Sequence, residues 1–171
     1  MTMKTILIPT ERQENMSSAL QTALLLARRY DSYIEGFALQ PGISQLLAVD
    51  MGGSVVTESF RQESIEEAKK TKAMFEAFMQ EQGVPRSSQA ASGLSFSWLD
   101  DAPEGEDIVG SYGRVFDVIV LGRPSSGRSR PSMMTIEAAL FETGRPILIA
   151  PPSPPCVRAA WSSCRPKRSM A

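Results

Sequence analysis

Five short runs of β-branched and aliphatic residues punctuate this chain, and the gaps between them are long enough to hold helices. Lys4-Thr-Ile-Leu-Ile-Pro9 opens the series as a buried strand stopped by proline. Asn15 or Ser17 is placed to cap a helix reaching Tyr30, with Leu20, Ala23, Leu24 and Ala27 on its apolar face. Tyr33-Ile-Glu-Gly-Phe-Ala-Leu39 has strand composition and ends before Pro41-Gly42. Residues 41–56, with Ile43, Leu46, Leu47 and Val49 among glycines, read as a loop with one helical turn. A three-four rhythm predicts a helix from Thr57 to Gln82, capped by Gly83; Lys72 is the polar exception on a face holding Ile65, Phe75 and Met79.

The alternation continues through the second half. Leu94-Ser-Phe-Ser-Trp-Leu99 alternates apolar and polar residues, as a strand with one less-buried face does. An acidic, proline-broken segment from Asp100 to Asp107 leads into a short helix ending near Phe116. Asp117-Val-Ile-Val-Leu-Gly122 has the composition of a central strand, and a Ser/Arg/Gly/Pro loop fills 123–132. A helix from Met133 to Thr143 and the apolar run Pro146-Ile-Leu-Ile-Ala150 close the series. Strands alternating with helices predict a three-layer α/β sandwich: a five-stranded parallel sheet with helices on both faces. Ligands of such sheets bind beyond the carboxyl ends of the strands, where strand order reverses, which points to Pro9, Thr10 and Glu11 and to Gly122 onward.

Composition narrows the chemistry. The 171 residues fit one domain, and 18 basic against 19 acidic residues leave no basic excess for a nucleic acid or a membrane surface. No apolar run is long enough to span a bilayer and no signal peptide is evident. Cys156 and Cys164 both lie near the end, so no disulfide framework holds the core, and a cytoplasmic setting is the simplest expectation. There is no histidine, which removes Ser-His-Asp and Cys-His catalysis and the commonest zinc ligand.

Ile6-Leu-Ile-Pro9, Asp117-Val-Ile-Val-Leu-Gly122 and Gly144-Arg-Pro-Ile-Leu-Ile-Ala150, in this order and spacing, resemble a universal stress protein domain across residues 3–151. The resemblance implies a flavodoxin- or Rossmann-like fold of the adenine nucleotide alpha hydrolase-like kind. Nucleotide-binding members of that family carry an aspartate after the first strand and, after the fourth, G-x-x-G, nine residues, then G-S or G-T. Glycines there let backbone N–H groups approach phosphates, and the following helix N-terminus favours negative charge. Here Glu11 stands in place of the aspartate, Gly122 is the first glycine, and Ser125 occupies the second position. Nine residues on stand Thr135 and Ile136, or Met133 and Met134 with a two-residue gap; neither alignment restores the pair. Gly127, with Arg123, Arg128 and Arg130, offers flexibility and positive charge in compensation.

Plainer readings stand beside these. Gly122 can simply end a strand, the arginine-serine loop can be a solvated surface loop, and Glu11 beside Arg12 reads first as a surface pair. The carboxylates between Asp100 and Asp107 lack the alternation of a calcium loop and read as helix-start residues rather than a metal site. Lys69, Lys70 and Lys72 read as a solvated helix face, and Trp98 as core or interface. Residues 152–171 read as a proline-rich linker and an irregular basic tail, consistent with a tandem protein whose second domain is lost.

The expectation is therefore a non-enzymatic stress-response or signalling module with a degenerate nucleotide loop. The resemblance implies a homodimer paired through the last strand, Pro146 to Ala150, whose open edge invites association. One alternative is an ATP-binding domain, with Mg²⁺ and at most slow hydrolysis, since neither a full phosphate loop nor an evident catalytic base is present. Another is a different flavodoxin-like domain holding a nucleotide or flavin.

Overall fold

The computed structural model describes residues 3–10, 16–40, 54–87 (side chains from 62), 93–103, 105, 107–123 and 133–155. Strand β1 (Thr5–Thr10) is followed by helix α1 (Met16–Tyr30), β2 (Tyr33–Ala38), α2 (Ser54–Glu81) and β3 (Ser95–Leu99). Then come α3 (Asp107–Tyr112), a 3₁₀ turn (Gly113–Val115), β4 (Val118–Leu121), α4 (Met133–Glu142) and β5 (Ile147–Ile149). The predicted five strands and four helices are all present, with ends displaced by a residue or two. The larger difference is α2, which already begins at Ser54, inside the stretch expected to be loop.

All strand pairs are parallel, in the order β3-β2-β1-β4-β5. A central parallel strand is covered on both faces and must be apolar on both, which is why Ile6, Leu7 and Ile8 run consecutively and are fully buried. One face is packed by α1 and α2, through Leu20, Ala23 and Leu24 and through Phe75 and Met79. The other is packed by α3 and α4, through Ile108, Val109, Ala138 and Ala139.

Gly36 shows why α2 can lie so close. A Cβ there would meet Phe75 Cε2 at 2.7 Å and Trp98 Cε3 at 3.0 Å, so the bare backbone makes room for the aromatic group of Phe75, Phe96 and Trp98. Trp98 is thereby a core residue. Ile65, expected on the apolar face of α2, is exposed: the helix reaches beyond the sheet there and its buried stripe starts only at Thr71.

The β3 edge is partly covered by residues 85–87, where Phe96 N–H donates to Pro85 O and Ser87 N–H donates to Phe96 O. The β5 edge has no such cover among the described residues.

Candidate functional site

In this order the chain leaves β1 toward β2 on one side, while β4 and β5 lie on the other. In parallel sheets of this order the position beyond the carboxyl ends of the two strands flanking the reversal, here β1 and β4, is where ligands bind. Pro9 and Thr10 close β1 at this end, in register with Phe37 and Ala38. Gly122, half-buried, and Arg123, exposed, follow β4. Thr135 lies in the first turn of α4, which starts from the same end, and is fully buried on its inward face. Of the residues expected to form a nucleotide site, these five are thus placed. Glu11, Ser125, Gly127 and Arg128 lie outside the described residues.

The hydrogen bonds at this end are mostly structural. Thr10 Oγ1 donates to Phe37 O at 2.6 Å, and Thr10 O accepts from Leu39 N–H at 2.9 Å, so both groups hold β1 to β2. Ala150 N–H donates to Leu121 O, and Ser18 Oγ donates to Pro151 O at 2.5 Å, which ties the start of α1 to the segment after β5. Gly105 N–H donates to Gln40 O across the rim.

Lys72 corrects the expectation of a wholly solvated helix face: it is half-buried, and its Nζ forms an ion pair with Asp100 at the carboxyl end of β3. Asp100 accordingly serves α2, whereas Asp107 stands in the first turn of α3 as expected for a helix start. Among the described residues no group of three or more His, Cys, Asp or Glu side chains could hold a metal. Among the described residues, the backbone of Gly122 and the exposed guanidinium of Arg123 follow β4 at this end, groups of a kind that can meet an anion.

Two polar constellations elsewhere escaped sequence reasoning. At the amino end of the sheet, Asp117 Oδ2 accepts from Lys4 N–H at 2.7 Å, Thr5 N–H at 3.0 Å and Thr5 Oγ1 at 3.2 Å. Burial alone would raise the Asp117 carboxyl; the Lys4 and Thr5 donors and the charge of Arg145 outweigh it and hold the group below its ordinary value.

The second constellation lies on the face covered by α3. Glu35, a carboxyl only 8% exposed in the middle of β2, accepts at Oε2 from the Tyr33 hydroxyl and at Oε1 from the Tyr112 hydroxyl. The Tyr33 hydroxyl also lies 2.5 Å from Ser97 Oγ on β3. Burial first, and the Glu35 hydrogen bond second, push Tyr33 up to about 12 and raise Tyr112 as well. The available signal was a single charge inside an otherwise uncharged strand, with a tyrosine two positions before it on the same face.

The architecture is a doubly wound α/β sandwich with one switch point, between β1 and β4. More narrowly, it is the fold of the universal stress proteins, as a single domain. The chain is similar to the universal stress protein UspA from Lactobacillus plantarum, with TM-score 0.62 and 14% identity over 88% of this chain and 99% of that one. It is similar to a universal stress protein from Archaeoglobus fulgidus, with TM-score 0.55 and 14% identity over 88% of this chain and 100% of that one. A further Archaeoglobus fulgidus universal stress protein structure, in complex with dAMP, matches with TM-score 0.52 and 14% identity over 87% and 98% of the two chains. At such identities the likeness is one of fold. No protein-family model and no curated protein matches the sequence. No described helix is long and apolar enough to cross a membrane.

Proposed function

We propose that this chain is a non-enzymatic stress-response or signalling module of the universal stress protein kind, acting as a homodimer rather than through nucleotide turnover. The observation that carries this reading is the state of the carboxyl end of β1: the Thr10 hydroxyl, next to the crevice, is used on Phe37 O and faces β2. Serine in place of the second loop glycine supports the same reading. Dimerisation is supported by the β5 edge, where Ile149 is 47% exposed, and by Leu140 and Phe141 of the neighbouring α4, which are 54% and 77% exposed.

A second reading keeps the crevice as a weak ATP site, with Mg²⁺ and at most slow hydrolysis. It is favoured by the same fold in the Archaeoglobus protein that holds dAMP and by the exposed Arg123 after β4. Isothermal titration of nucleotide-free protein with Mg²⁺-ATP separates the two. No heat up to millimolar ATP agrees with the first, whereas micromolar binding abolished by Arg123→Ala overturns it in favour of the second. A visible absorption spectrum of the purified protein tests the flavin alternative. Sedimentation at micromolar concentration tests the dimer, and a monomer at all concentrations would sink that part.

A further inference from the structure

All five strands are parallel, so their amino ends share one rim of the sheet, opposite the end where ligands of such sheets bind. Exposed cations gather on that rim: Lys4 before β1, Arg28 and Arg29 in the last turn of α1, Arg114 in the turn before β4 and Arg145 before β5. Carbonyl oxygens hold most of them. Lys4 Nζ donates to Tyr30 O at 2.9 Å and Arg28 Nη2 to Gln82 O at 3.0 Å. Arg114 Nε donates to Glu142 O at 2.9 Å, and Arg145 Nε donates to Arg114 O at 2.8 Å. Such bonds fix a side chain without cancelling its charge. Among the described residues none of these cations makes an ion pair.

The carboxylates of the rim are turned to other work. Asp31 Oδ1 accepts from Leu94 N–H, and Asp117 Oδ2 accepts from Lys4 and Thr5. The charge of Arg145 reaches Asp117 without a direct pair. Glu142 lies against Gly110 of α3, where a Cβ would collide with its Oε2. Glu81, exposed at the end of α2, makes no pair with Arg28. Arg114 and Arg145 are therefore oriented through Nε, and their outer N–H groups meet no acceptor among the described residues. Val115, next to Arg114, is 70% exposed and sets an apolar side chain beside these charges.

We propose that this rim is a docking face for an acidic protein segment, whose carboxylates meet Arg114 and Arg145 while an aliphatic side chain covers Val115. Charge complementarity selects this occupant. A guanidinium fork matches the geometry of a carboxylate, and a fork already oriented loses little entropy on pairing. Arginine beside apolar surface is also the composition of a recognition patch. The chain's own tail carries Arg158, Arg165, Lys167 and Arg168, so its charge has the wrong sign for this face. A nucleic acid fits less well, because 18 basic against 19 acidic residues give the whole chain no attraction for a polyanion. The rim lies at the far end of the sheet from the residues following β1 and β4, so nucleotide binding and docking are tested separately.

The test is a titration of the full chain, followed by ¹H–¹⁵N NMR, with a capped peptide of glutamates flanking a single leucine. The Val115 and Arg145 amides and the Arg114 and Arg145 Nε–H signals are expected to shift together and saturate. Affinity is expected to fall about threefold or more when sodium chloride is raised to about 0.5 M. Arg114→Gln and Arg145→Gln are each expected to bind about fivefold more weakly, Val115→Ser about threefold, and Lys69→Gln, on exposed α2, as the native chain does. No saturable shift at the rim up to millimolar peptide overturns the proposal, as does equal binding of the same peptide with glutamine for glutamate. Tighter binding of a short oligothymidylate at the rim overturns it in favour of a nucleic acid. Self-association in sedimentation that Arg145→Gln abolishes overturns it in favour of a second copy. If circular dichroism shows that the arginine variants do not fold, Val115→Ser and the glutamine peptide still decide.

Discussion

Replacing Asp117 by alanine tests the idea that the central strand pair is fastened at its amino end by one carboxylate oxygen. Oδ2 accepts two backbone N–H groups and one hydroxyl from Lys4 and Thr5, which are 112 or more residues away in sequence. A hydrogen bond to a charged acceptor contributes about 1.5–3 kcal/mol, but water can reach this half-buried site and rehydrate the freed donors. The expected loss in Asp117→Ala is therefore about 2–3 kcal/mol rather than the full sum of three bonds. That corresponds to a fall in melting temperature of about 5–10 °C for a domain this size. Asp117→Asn keeps an oxygen facing the same donors and removes the charge, so it is expected to cost less than about 1.5 kcal/mol. The pH dependence has a definite sign. The folded carboxyl lies below its unfolded value, so its contribution is present above the unfolded carboxylate range and disappears as pH falls through the folded value. Urea denaturation monitored by circular dichroism at neutral and acid pH measures both effects. An alanine variant within about 0.5 kcal/mol of the native protein, or an asparagine variant as damaged as the alanine one, would refute the reasoning.

Three other outcomes rest on single observations. Gly36→Ala places a methyl group 2.7 Å from Phe75 Cε2 and is expected to cost about 1–3 kcal/mol through overpacking, read from urea denaturation. Asp31 holds φ at 56° after α1 while its Oδ1 accepts from Leu94 N–H at 2.8 Å. Asp31→Ala, which loses both advantages, is expected to be destabilised by about 1–2 kcal/mol, and Asp31→Gly, which keeps the conformation, by less. Because the Tyr33 phenol is raised to about 12, its stabilising contribution is complete below its unfolded value and is lost as pH rises toward 12. Alkaline denaturation is therefore expected to be shallower in Tyr33→Phe, a comparison that circular dichroism in carbonate and phosphate buffers makes directly.

Much of the fold was legible because its signals are local. β1 and β4 announce themselves as uninterrupted apolar runs, since a strand covered on both faces has no polar side to show. The apolar face of α1 could be counted off at helical spacing, and Leu20, Ala23, Leu24 and Ala27 are all buried. The pairing of Lys72 was hidden because its partner, Asp100, lies 28 residues away and only the β3 register brings the two together. Glu35 and Tyr112 are separated by 77 residues, so periodicity carries no trace of their contact. The expected nucleotide loop could be read only by comparison with a motif, and Ser125, Gly127 and Arg128 lie outside the described residues.

The distribution of these features along the sheet is itself informative. At the amino end, Asp117 fastens β4 to β1, and Lys4 Nζ donates to Tyr30 O, closing α1 over the strand start. At the carboxyl end the ties are between neighbours: β1 to β2 through Thr10, β4 to β5 through Ala150, and α1 to the exit of β5 through Ser18. Register pairing of β1 with β4 covers Ile6 and Leu7 only, so no ladder bond joins these strands near Thr10 and Gly122. The strand pair is thus fastened firmly at one end and left to diverge at the other, where a parallel sheet of this order opens its crevice. A domain built this way can change the segments leaving β1 and β4 without disturbing the ties that hold the two strands. That separation lets the segments leaving β1 and β4 vary in sequence while the sheet order and core keep the universal stress protein fold.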